Sequence, residues 1–166
     1  MTPAYLIRLF EYNQWANGRV LDAAEALDPA LLVQPHGHSW GSVHNMLVHL
    51  MAAEWIWLRR LRGHSPGALL DPNEFPTIAA VRTRWAAITS NLFAYLHEQT
   101  TESLQQDIAY RSTEGQHFSL PAWQILVHLA NHGTHHRGEL AAMFALLGVP
   151  HEEEDLLYYF LEQSGQ

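Results

Sequence analysis

The chain has 166 residues, 48% of them apolar, which suits one compact domain over residues 1–166 and argues against disorder. There is no cysteine, so disulfides, thiolate metal sites and a cysteine nucleophile are excluded, and any metal must be held by histidine or carboxylate. A net charge of −8 opposes nucleic-acid binding, the opening residues carry Arg8 and Glu11 where a secretory leader would be apolar, and no apolar run reaches membrane-spanning length, so a cytoplasmic protein is expected.

The first helical pattern follows Pro3, a residue suited to an opening turn, and sets Leu6, Leu9, Phe10, Val20, Leu21 and Ala24 at spacings of three and four. Asp28-Pro29 ends it or starts a short turn, and residues 31–40, with Pro35, Gly37 and Ser39, read as a loop. A second helix begins near Ser42, a capping residue, presents Val43, Met46, Leu47, Leu50 and Ala53 on one face, and stops at Gly63. The basic run Arg59-Arg60-Leu61-Arg62 stands at its end, where cations complement the helix dipole. Residues 64–76 form a longer connection rich in glycine and proline.

A third helix starts around Thr77, with Ile78, Val81, Trp85, Ile88 and Leu92 on one face, and frays near Gln99. Residues 108–113 and 116–119 read as two short strands around the Glu114-Gly115 turn. The fourth helix opens at Ser119-Leu120-Pro121, with Ser119 as cap, and runs to Leu147 before Gly148. The acids at 152–155 then start a short closing helix through Leu156 and Phe160. The pattern predicts an all-α four-helix bundle with a hairpin-like connection before the fourth helix.

His132 and His136 lie four residues apart on the fourth helix and share a face, so both imidazoles can grip one ion. His49, beside the apolar stripe of the second helix, is the third candidate; such a set leaves coordination positions open for chemistry. Spacing leaves His128 as an alternative to His136, and a buried, hydrogen-bonded histidine as an alternative for His49. His135 points elsewhere on the wheel. Glu54 lies near the same inner side as His49, placed to orient a ligand, accept a proton or pair with an arginine. Arg137 reads as a structural salt-bridge residue, and Trp40 and Trp123 as candidates to line a cleft. Gly133 and Gly138 cost helix stability and so predict close approach of a backbone or ligand at both positions. No nucleophile elbow, phosphate loop, dinucleotide fingerprint or His-Glu-x-x-His motif is present.

Residues 11–17 (Glu-Tyr-Asn-Gln-Trp-Ala-Asn), Ser42 to Leu50 with Glu54 and Trp57, the Tyr110, Thr113 and Gly115 of the connection, and Asn131-His132-Gly133-Thr134-His135-His136-Arg137-Gly138 together resemble the DinB-like (DinB/YfiT) metalloprotein superfamily. That resemblance implies an up-down-down-up bundle, often a homodimer, with a divalent metal, zinc or nickel, on His49, His132 and His136. Glu139 departs from it, since many members carry Gln there. Better-understood branches imply a metal-dependent transferase using a low-molecular-weight thiol, or a hydrolase, acting on a small molecule. The contrasting expectation is a metal- or ligand-binding dimer without turnover.

Overall fold

Side-chain caps set the starts of three of the four long helices. The structure, a computed structural model, describes residues 1–37 and 39–166. Helix α1 (Pro3–Glu25) begins where the Thr2 side chain accepts from the Tyr5 N–H, α3 (Val43–Leu61) where Ser42 accepts from Asn45, and α4 (Ile78–His97) where Thr77 accepts from Ala80. Between α1 and α3, Asp28 caps a single helical turn, α2 (Pro29–Leu32), which takes up the short turn expected at Asp28-Pro29 and extends into the first two residues of the expected loop. Strands β1 (Asp107–Arg111) and β2 (His117–Pro121) pair antiparallel, followed by α5 (Ala122–Leu146) and the closing α6 (Leu156–Gln163).

The start of α5 differs from expectation. Ser119 does not cap it: the residue sits inside β2 opposite Ala109, the strand continues to Pro121, and the first turn of α5 has no side-chain cap. Its first backbone donor is satisfied from outside, Ala122 N–H donating to Gln106 O at 3.0 Å, so the hairpin takes the capping role.

Two apolar clusters fix the helix directions. One gathers Val20 and Ala24 from the end of α1, Met46 and Leu47 from the start of α3, Val81 and Trp85 from the start of α4, and Met143 and Phe144 from the end of α5. The other gathers the opposite ends: Leu6 and Phe10, Leu58 and Leu61, Leu92 and Leu96, Ile125 and Leu126. Helices α1 and α5 therefore run one way and α3 and α4 the other, the up-down-down-up order. Each of α1 and α3 packs on both α4 and α5, which leaves α1 diagonal to α3. The parallel run of α3 and α4 requires the long crossover at 62–77, anchored where His44 Nε2 bonds Phe75 O at 2.7 Å. Among the described residues, no helix is long and apolar enough to cross a membrane.

Candidate metal centre

Helices α3 and α5 are neighbours, and their facing sides carry the histidines. His49 Nε2 lies 3.1 Å from His132 Nε2 and 3.2 Å from His136 Nε2. One ring nitrogen can carry at most one proton, so three converging Nε2 atoms cannot all satisfy one another by hydrogen bonding. A tetrahedral ion with bonds near 2.0–2.1 Å would hold its ligand nitrogens roughly 3.3 Å apart, close to the spacing seen. The donor set thus fits a divalent cation, and all three ligand atoms lie within 4.8 Å of one another.

The surroundings of His49 and His132 favour their neutral, metal-binding form. Burial, and then the neighbouring His136 and His132 rings, push His49 down to about 3. Burial, with His136 and His128 nearby, pushes His132 down to about 4. His136 Nδ1 lies 2.7 Å from Glu139 Oε2, a contact that places the ring proton on Nδ1 and frees Nε2 as a lone-pair donor. The same carboxylate oxygen accepts from Ser39 Oγ at 2.8 Å. Trp40 stacks on His49, with ring centroids 3.9 Å apart and planes 17° from parallel. The segment between α2 and α3 thus reaches over the histidines from two directions.

The other flagged residues fall into distinct places. His128 is exposed, with its ring 5.7 Å from that of His132, and His135 is exposed, 3.8 Å from Glu139. Trp123 is half-buried against the cluster at the hairpin end of the bundle. Glu54 is buried, and its carboxylate accepts from Asn13 Nδ2 at 2.8 Å, Asn17 Nδ2 at 3.0 Å and Thr89 Oγ1 at 3.3 Å; none of these bonds reaches a histidine. Burial raises its pKa against the pull of Thr89, Arg137, Asn17 and the nearby Trp85 indole, whose N–H stops short of hydrogen-bond geometry.

Arg137 corrects the salt-bridge expectation. It is buried and donates to Asn13 Oδ1 at 2.7 Å, Asn17 Oδ1 at 2.8 Å, Thr134 Oγ1 and the Tyr12 hydroxyl, with no carboxylate in ion-pair contact among the described residues. The two asparagines turn their oxygens to Arg137 and their amides to Glu54, relaying charge between the two. Gly133 permits this: a Cβ there would lie 2.5 Å from Asn13 Oδ1. Gly138, expected to be equally crowded, has open space where its Cβ would be. A cavity of about 520 Å³, lined by Tyr5, Tyr12, Thr134, Arg137 and Glu154, lies on another face of α5 and includes none of the three converging histidines.

Sequence reasoning gave no role to Ser39 and did not foresee the Glu139 contact. The second had a signal, an acid three residues after a histidine on one helix; the first did not, because it depends on how a loop folds back.

Comparison with known proteins places this geometry in context. Residues 1–165 match the family model described as the DinB family. Protein DinB of Bacillus subtilis (strain 168) is 21% identical over 168 residues, covering 96% of both chains. A DinB-like protein from Bacillus cereus superposes with a TM-score of 0.65 at 16% identity, covering 87% of this chain and 94% of that one. YfiT from Bacillus subtilis, described as a probable metal-dependent hydrolase with an unusual four-helix bundle topology, superposes at 0.65 with 13% identity and 89% of each chain covered.

Proposed function

This chain belongs to the DinB family, and from that premise we propose that it is a metal-dependent enzyme whose divalent ion, zinc or nickel, is held by His49, His132 and His136. The observation that supports the reading is the convergence of three Nε2 atoms from two helices at 3.1 and 3.2 Å. Three neutral ligands leave a cation its full charge, and the chemistry it supplies when bound is Lewis acidity that eases deprotonation of a coordinated water or thiol.

The chain's own residues do the rest. Glu139 fixes the His136 tautomer through Oε2 and stands beside the site as proton acceptor. Glu54, also a candidate from sequence for a direct catalytic part, is assigned a positioning role, because its oxygens are taken up by α1 and α4. Trp40 shields one side of His49 from water. Transfer to or from a low-molecular-weight thiol is the more specific reaction type; hydrolysis of a small molecule is the broader one, suggested by the description of YfiT. We take residues 1–166 as one functional unit and a homodimer as its working state, since Leu146, Leu157, Tyr158 and Phe160 expose apolar side chains near the carboxyl end.

The test is a panel of thiol–electrophile pairs and small esters and amides, assayed with untagged protein loaded with zinc, nickel or manganese. Turnover that disappears in His136→Ala with the fold intact supports the enzyme. Tight metal binding with no turnover on any pair supports a binding protein instead.

A further inference from the structure

Arg60 is 7% exposed, and its guanidinium has neither a hydrogen-bond nor a carboxylate partner among the described residues; its Nε is fully enclosed. Elsewhere Arg8, Arg19, Arg62 and Arg82 each meet an acid, and Arg137, whose Nε is likewise enclosed without a partner, gives its two terminal nitrogens to oxygens, which Arg60 does not. Arg60 instead lies over two ring faces, 4.5 Å from the Trp57 centroid and 5.2 Å from that of Tyr110. A cation in this position is partly offset by the ring quadrupoles; Nε is left without an acceptor while the terminal nitrogens reach solvent, where an anion can meet them.

The rings under Arg60 lead to the candidate metal centre. His128 stands 5.7 Å from His132, Trp57 stands 5.3 Å from His128, Tyr110 stands 5.1 Å from Trp57, and Phe118 stacks 5.6 Å from Tyr110. This track runs along the α3–α5 seam to the hairpin, and His128 and Phe118 are open to solvent. Arg59 and Arg111, the chain neighbours of Arg60 and Tyr110, are exposed. The helical rise from His49 to Arg60 is roughly 16 Å.

We propose that the substrate is an elongated small molecule with a carboxylate or phosphate at the end remote from its reacting group, and that Arg60 binds this oxyanion while the aromatic track carries the apolar body. The assignment of the reacting end rests on the reading of the three histidines as a metal site; the oxyanion site itself does not. The bland alternative is that Arg60 merely pins the hairpin onto α3 through its two ring contacts. A structural pin shows no preference among ligands.

The test compares 4-phenylbutyrate, 4-phenylbutyl phosphate and 4-phenylbutanol on metal-free protein, following the Arg60 Nε–H resonance by NMR and affinity by calorimetry. The expected result is that at least one anion binds about tenfold or more tightly than the alcohol and shifts that resonance, the order of a hydrogen bond to a charged group. The preference falls in Arg60→Gln, survives in Arg60→Lys, and changes little in Arg59→Gln. Which anion binds better separates carboxylate from phosphate. Equal binding of acid and alcohol, or a preference unchanged in Arg60→Gln, overturns the proposal; the wild-type comparison stands even if that variant misfolds.

A second arm uses zinc-loaded protein and ω-mercaptoalkanoates of increasing length against the matching mercaptoalcohols. A carboxylate advantage that grows toward the His49–Arg60 span supports one substrate bridging both ends, whereas an advantage independent of length overturns that bridging. Failure of zinc to bind, with the anion preference intact in the first arm, counts against the metal reading alone.

Discussion

His136 and Glu139, one turn apart on α5, are joined by a 2.7 Å contact that turns the ring's other nitrogen toward His49. The carboxylate thereby sets the orientation and basicity of the His136 ring without itself being one of the three converging groups. Glu139→Ala is expected to weaken zinc binding by about 10–100-fold, the usual loss for a partner of a ligand histidine. Glu139→Gln, which keeps an acceptor but not the charge, is expected to recover part of that loss. Competition against a chromogenic chelator measures both.

Gly133 and Gly138 are expected to respond oppositely to alanine. At Gly133 the new methyl meets Asn13 Oδ1 at 2.5 Å and Arg137 Nη1 at 2.8 Å, and the Glu54–Asn13–Arg137 relay must shift, a loss of about 1–3 kcal/mol. At Gly138 nothing lies within 4 Å, so removing a flexible residue from the helix interior is expected to stabilise by up to about 1 kcal/mol. Urea unfolding of both variants decides the matter.

The metal-free protein is expected to lose stability on mild acidification. His49 and His132 titrate near 3 and 4 in the folded chain but near the ordinary 6.5 when unfolded. Between those values the unfolded chain binds more protons, so stability rises with pH; it is fully present above about pH 6.5 and is lost as pH falls toward 3. The urea midpoint of chelated protein is therefore expected to drop from pH 7 to pH 5, with a shallower slope in His49→Gln.

Added zinc is expected to raise the melting temperature in proportion to the logarithm of its free concentration. At 100 times the dissociation constant the gain is about 2.7 kcal/mol at 25 °C. His49→Ala and His132→Ala are each expected to remove most of that gain while leaving the metal-free protein folded, as scanning calorimetry with and without chelator will show.

The helices and their apolar faces were legible because periodicity is a local property: Val43, Met46, Leu47 and Leu50 announce a buried face whatever they pack against. The start of α5 was not, since Ser119 satisfies a capping pattern yet is claimed by strand pairing with Ala109. The convergence of His49 with His132 and His136 came from motif resemblance more than from spacing, which left His128 open. Arg137 was misjudged because two asparagines on α1 take the place of the expected acid, and nothing local to α5 encodes them. Gly133 and Gly138 look alike in sequence; only the crossing of α1 distinguishes them.

The parallel pairs in this bundle carry a consequence for its mechanics. Helices α1 and α5 form one half and α3 and α4 the other, and the three converging histidines are divided between halves, His49 on one and His132 and His136 on the other. An ion at that centre would act as a rivet across the boundary, tying together segments 83 residues apart in the chain. Hydrogen exchange would then slow on both banks of the boundary when metal is added, far beyond the few residues that touch it.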